Sequence, residues 1–312
     1  MTIEHPRHLE LETPLCAGHP VTVAAPRSPH GRATADRIHQ ALRDIGADAT
    51  LAEDPAFEAL SEAAGPVIVV GNLADSQCIR GLYFRFMCAT DLWYPGPGGY
   101  ELRTLCNPFG TGHNALLVGY SDAEGTTAGC EALLDRLADP VPHLADLHVT
   151  RLPVSGQEVE QTRAEPLASA AWQRASSTLG DHKGYLYYLT GERELGEGFR
   201  ATWKAIVECG YAKTDRMVQV HLTSLSHWLP WRLVEDMNLF GEQERLDITR
   251  YLYGWAESDE GHKHVAHCPR VVSMHVPRQN HELIPALALM HAAHYFSTYF
   301  PDLPGPSRWL EP

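Results

Sequence analysis

Two apolar runs without alternation, Pro66 to Gly71 (PVIVVG) and Ala115 to Tyr120 (ALLVGY), limit the folds open to this chain more than any other feature. A strand with one wet face alternates apolar and polar residues. An unalternated run belongs in a sheet covered on both faces, which means parallel or mixed strands with helices packed on either side. The neighbouring sequence supplies the other parts. Val21 to Ala25 reads as a short strand, Pro26 to Gly31 as a turn, and Arg32 to Ile45 as a helix with Ala35, Ile38 and Leu42 on one face, ended by Gly46. Asp75 to Cys88 reads as helix and Tyr100 to Cys106 as strand. Ser121-Asp-Ala-Glu124 has the form of a capping box, with Ser121 as N-cap of a helix reaching about Leu137. Residues 1–140 are therefore expected to form an α/β domain.

Periodicity then changes. Residues 141–165 gather Pro142, Pro153 and Gly156 and read as a linker, with one short strand at His148 to Leu152. From residue 166 to 312 the pattern is all-helical. Arg193 to Cys209 puts Leu195, Phe199, Trp203 and Ile206 on one face. Leu222 to Leu239 spaces Leu225, Leu229, Leu233 and Met237 by four, with Pro230 expected to kink or split it. Gln243 to Glu257 stacks Ile248, Leu252 and Trp255. Pro285 reads as the first residue of a last helix reaching about Phe300. About five to seven helices joined by short connections make antiparallel neighbours.

Lys plus Arg total 25 against 39 Asp plus Glu, a formal charge of -14. That excess disfavours a dedicated nucleic-acid binder, and a polyanionic substrate would need a locally positive cleft. No run of 18 apolar residues suggests a membrane span, and Met1 to Glu12 has no apolar core of a signal peptide. Seven scattered cysteines fit a reducing compartment, so a cytoplasmic location is the default expectation.

Asn107-Pro-Phe-Gly-Thr-Gly-His-Asn114 lies between two strands and is rich in polar groups. It has no lysine and precedes a strand, so it is not a phosphate loop. The GxGxxG fingerprint of dinucleotide sites is absent as well, and no cofactor is implied.

Three segments carry a resemblance: Tyr187-Tyr-Leu-Thr-Gly-Glu-Arg193 followed by Phe199, Leu229 to Tyr253, and Arg278-Gln-Asn-His-Glu-Leu-Ile-Pro-Ala-Leu-Ala288. Together they resemble the opening helical hairpins of the α/α-toroid in polysaccharide lyases of the heparinase, alginate-lyase and chondroitin-lyase kind. Separately, the first domain resembles small α/β domains that precede catalytic domains in glycan-degrading enzymes. The resemblance implies a partial toroid and cleavage of a uronic-acid glycan by β-elimination. A full toroid needs more than twice this helical sequence, so a missing C-terminal portion, a partner subunit or a homo-oligomer is implied too.

Removing the C5 proton of a uronate requires neutralisation of its carboxylate, a base, and an acid for the departing O4. Asn280 and Arg278 suit neutralisation, and His281 suits the base. The resemblance implies a tyrosine as acid, from among Tyr185, Tyr187, Tyr188 and Tyr251. Asn280 and His281 equally suit a simple helix cap. His227, Trp228, Trp231 and Glu235 are candidate substrate contacts, the indoles as sugar-stacking platforms or as core. Glu235, Asp236 and Glu282 keep a glycoside hydrolase open. Adjacent residues on one helix diverge, however, so Glu235 and Asp236 cannot form the carboxyl pair by themselves. A non-catalytic glycan-binding module or an inactive fragment is the third reading. His262, His264, His267 and Cys268 are weak metal candidates, at spacings unlike the common zinc patterns.

Overall fold

The computed structural model describes residues 3–137, 145–148, 154–164, 179–209, 228–257 and 279–309. It contains a mixed β-sheet region followed by a largely α-helical region. The chain divides into two compact units. One is Leu9–Gly156 with Leu189–Gly191; the other is Gln157–Tyr188 and Glu192–Pro312 together with the N-terminal segment through His8.

The α/β unit runs β1 (Pro20–Ala25), α1 (Pro29–Asp44), β2 (Asp48–Glu53), a 3-10 turn (Phe57–Glu62), β3 (Val67–Gly71), α2 (Gln77–Tyr83), β4 (Tyr100–Leu105), β5 (Ala115–Tyr120), α3 (Ala123–Leu134) and β6 (Ala145–His148). The sheet order is β2-β1-β3-β5-β4-β6. β2, β1, β3 and β5 are parallel, whereas β4 is antiparallel to both β5 and β6. Every residue of β3 and β5 is buried, as their unalternated runs require. Successive side chains of a strand point to opposite faces. Val23, Ile68, Val70, Leu116 and Val118 thus pack under Ile38 and Leu42 of α1 and Leu133 of α3. Val67, Val69, Ala115 and Leu117 pack on the other face with Leu60, Ile79 and Leu82. Each fully buried Val, Ile or Leu contributes about 1.5–3 kcal/mol, so these two layers dominate the unit's stability.

Several expectations are corrected. The N-cap of α3 is Asp122, whose carboxylate accepts the Gly125 amide at 2.9 Å; Ser121 instead accepts the Gly96 amide and donates to the Asp91 carbonyl. That helix stops at Leu134, and α2 is far shorter than Asp75 to Cys88. β2 has no counterpart among the strands expected from sequence because Asp48 and Glu53 bound a half-exposed strand at the sheet edge. The expected linker holds structure: a strand at Ala145–His148, earlier than His148 to Leu152, and helix α4 at Gly156–Ala164.

In the helical unit α5 is Leu179–Thr190, α6 is Arg193–Cys209, and α7 covers described residues 228–234. α8 is Glu242–Glu257, α9 is Gln279–Tyr299 and α10 is Gly305–Trp309. No strand occurs among its described residues. Gly191 stands at φ 70° between α5 and α6, a left-handed turn that glycine adopts without strain. α8 packs against α6, α9 and α10. Leu195, Phe199, Trp203 and Ile206 are all buried, as their spacing predicts. α7 is helical through Pro230, and its exit is a 3-10 turn, Glu235–Met237, closed by Asn238 at φ 54°. The part of Leu222 to Leu239 before residue 228 lies outside the described residues. Pro285 is not the first residue of α9; the helix opens at Gln279 and carries the proline in its second turn. A proline there removes only the donor to the residue 281 carbonyl, a cost that packing of the later turns offsets.

Candidate functional site

In sheets of this order ligands commonly sit beyond the carboxyl ends of the strands where the connections diverge, here between β1 and β3. Asp75 is the hub of that place. Its Oδ2 accepts the Ser28 hydroxyl at 2.5 Å and the Tyr120 hydroxyl at 2.7 Å, and its Oδ1 accepts the Asn72 amide at 2.8 Å. Ser28 also caps α1 through the Gly31 amide. Arg27 pairs with Asp54 at 2.9 Å, and Asp54 accepts the Gln77 amide. A Cβ on Gly31 would lie 2.1 Å from the Tyr120 hydroxyl oxygen, so only glycine lets this phenol reach the start of α1. The crevice is thus filled by Tyr120, and all three donors on Asp75 are internal. Chemically the arrangement is a latch joining three loops.

Beside it lies a buried polar group of four residues. Glu101 accepts from Thr90, Tyr94 and Arg103, and Arg103 also donates to the Tyr94 hydroxyl at 3.0 Å. Burial and the adjacent Glu101 push the Tyr94 phenol far above its ordinary value.

The helical unit holds a buried cluster of four charges. Glu235, expected to touch substrate, is fully buried. Its carboxylate meets Arg7 at 3.0 Å and Arg232 at 3.2 Å, and accepts the Tyr295 hydroxyl at 2.7 Å. Asp236 pairs with Arg7 as well. The Arg7 guanidinium lies 4.4 Å from the Tyr299 ring centroid. Burial opposes the charge on Arg7, but Asp236 and Glu235 more than offset it and hold the guanidinium protonated. The four charges cancel. Arg7 and Arg232 are therefore already compensated and offer little to an anionic substrate. Arg232 could be suspected from its position one helical turn before Glu235. Nothing in the sequence signals Arg7, which is 228 positions from Glu235.

The remaining candidates fall out as follows. Trp228 and Trp231 have no exposed face: Trp231 meets Trp203 at 5.8 Å between ring centroids, and Trp228 meets Tyr295 at 5.5 Å. These indoles are core. Tyr188 is fully buried and Tyr251 is buried edge-on to Trp203, while Tyr185 and Tyr187 are half-buried. The backbone of Asn280 and His281 forms the first turn of α9 instead of preceding the helix. Their side chains and that of Glu282 lie outside the described residues, as do Arg278, His227, His262, His264, His267 and Cys268 altogether. Among the described residues no three His, Cys, Asp or Glu side chains converge on a metal-sized space, and no helix is long and apolar enough to cross a membrane. The chain matches no protein-family model and no curated protein.

Proposed function

We propose that the protein cleaves a uronic-acid-containing polysaccharide by β-elimination, with the chemistry in a helical unit built as part of an α/α-toroid. The observation that supports this most is the start of α9. Asn280 and His281 belong to the first turn of a 21-residue helix whose later residues Ala288, Leu289, Ala292, Ala293 and Phe296 are fully packed. First-turn amides lack intrahelical acceptors, and the helix dipole is positive there, so negative charge is favoured. The uronate carboxylate acquires such charge as C5 loses its proton. In this reading Asn280 and Arg278 hold the carboxylate, His281 takes the proton, and Tyr185 or Tyr187 protonates O4. Tyr188 and Tyr251 drop out because they are buried. In this reading helical hairpins of another subunit complete the cleft.

The test is direct. Incubation with a panel of polyuronates and glycosaminoglycans should generate the ultraviolet absorbance of a 4,5-unsaturated uronate. His281→Ala should lower the rate by about 10²-fold or more, and Asn280→Ala by a comparable factor. New reducing ends without that absorbance would mean hydrolysis and reject elimination. Hydrolysis is the weaker alternative, since Glu235 is sealed in an ion cluster. Burial of Tyr188 and Tyr251 favours as second reading a module that binds glycan without cleaving it; binding with no cleavage of any kind would establish it.

A further inference from the structure

A cavity of about 470 Å³ in the α/β unit lies at the opposite end of the sheet, where β1 and β3 begin. Its size is within the range of about 300–1,000 Å³ usual for small-molecule sites. One wall is the Asn107–Asn114 loop, and that wall is built. Asn107 adopts φ 47° and its side-chain oxygen accepts the Gly112 amide at 2.8 Å. Asn114 is buried, and its Nδ2 donates to the Glu10 carbonyl at 2.9 Å and to Thr13 Oγ1 at 3.1 Å. These bonds clamp the segment ahead of β1 against the loop. Gly112 has φ 84°, and a Cβ added to it would meet nothing within 4 Å, so this glycine serves the loop's conformation and leaves the cavity open.

Glu12, His19 and His113 face this space with acceptor capacity to spare. Among the described residues no protein group bonds the Glu12 carboxylate or the His113 ring, and His19 uses only Nδ1, toward Cys16 Sγ at 3.1 Å and the Ala17 carbonyl. Among those residues, too, no lysine or arginine lines the cavity. With Glu10, whose carboxylate accepts the Glu12 amide, the lining holds two carboxylates and two imidazoles without a fixed cation, a set that accepts hydroxyl protons readily but repels phosphate, sulfate and uronate. Pro20, Pro66 and Ala64 add aliphatic walls suited to the C–H face of a ring.

We propose that this cavity binds one neutral, hydroxyl-rich sugar unit, so that the α/β unit is a non-catalytic saccharide-holding module. Only the choice of sugars among neutral polyols rests on the glycan reading; the exclusion of anions rests on the cavity itself. The site would anchor uncharged residues of a mixed glycan while the helical unit acts on uronates.

The experiment uses the full chain and saturation-transfer NMR with methyl glucoside, methyl xyloside, methyl mannoside and N-acetylglucosamine, against glucuronate, glucose 6-phosphate and glucosamine. At least one neutral sugar should bind, with the two anions silent. Glu12→Gln and His113→Ala should each weaken binding about tenfold, and Ala64→Trp, which fills the cavity from an exposed position, should abolish it. All three should leave thermal stability and any uronate elimination unchanged. Silence of every neutral sugar, stronger binding of an anion or of glucosamine, or binding indifferent to Ala64→Trp would overturn the proposal. Elimination is read separately by absorbance, so either proposal can fail while the other stands.

Discussion

Glu235 shows at the scale of one residue how burial decides a role. An acidic residue next to two tryptophans looks like a sugar-binding group in the sequence, yet its carboxylate is held by Arg7, Arg232 and Tyr295 with no access to solvent. Removing one member of a buried ion cluster leaves an uncompensated charge, which costs about 3–5 kcal/mol. Glu235→Ala should therefore lower the stability seen in chemical denaturation by that amount. Removing Arg7 and Asp236 together, which keeps Arg232 and Glu235 paired, should cost less than Arg7→Ala alone. Equal losses would show that the four charges do not act as a unit. Among the described tyrosines, Tyr94, Tyr120 and Tyr295 share a second property. Burial first, and then the neighbouring Glu101, Asp75 or Glu235, pushes each phenol well above its ordinary value of about 10. The folded state thus holds these protons more tightly than the unfolded chain. Their contribution to stability is full below about pH 10 and is lost as pH rises beyond it. Ultraviolet titration should find these three phenols silent until the protein unfolds; ionisation of all 12 tyrosines in the native state would refute the assignment.

At the scale of elements, α3 separates two serviceable caps that stand side by side. Ser121-x-x-Glu124 has the form of a capping box, but Ser121 is engaged by the Asp91–Gly99 loop, and Asp122 takes the cap. Asp122 also accepts the Gly98 amide through its second oxygen, which the local sequence could not reveal because Gly98 is 24 residues away. Asp122→Ala should destabilise the α/β unit by about 0.5–2 kcal/mol, the usual worth of an N-cap. Ser121→Ala should leave α3 intact and instead speed hydrogen exchange at the Gly96 amide. If the Ser121 variant frayed α3, the capping box would be the true cap. α9 teaches the same lesson in reverse. Pro285 is an ordinary helix-start signal, and the helix nevertheless begins six residues earlier because its later turns are locked between aromatic neighbours such as Trp228, Tyr253 and Trp309.

For the whole molecule, the helical unit draws on both ends of the chain. Besides Arg7, the Ile3 carbonyl accepts from Arg250 and the Arg7 carbonyl from Arg245. A chain that starts at Leu9 should lose protection in hydrogen exchange across α7, α8 and α9 while β1, β3 and β5 keep theirs; equal loss in both would show the segment to be a general stabiliser. Composition and periodicity by themselves determined that an α/β region precedes a helical one, because unalternated runs and a 3.6-residue stripe each admit one kind of burial. They also determined which faces of α1 and α6 are inward. Tertiary structure alone decided the rest: the antiparallel place of β4 between β5 and β6, the union of Arg7 with Glu235, the filling of the crevice between β1 and β3 by Tyr120, and the open cavity behind the Asn107–Asn114 loop. The reason is one of range. Local pattern fixes which residues must leave water, whereas the partners of a buried charge or a buried hydroxyl are chosen by chain segments tens to hundreds of residues away, and no periodicity records that choice.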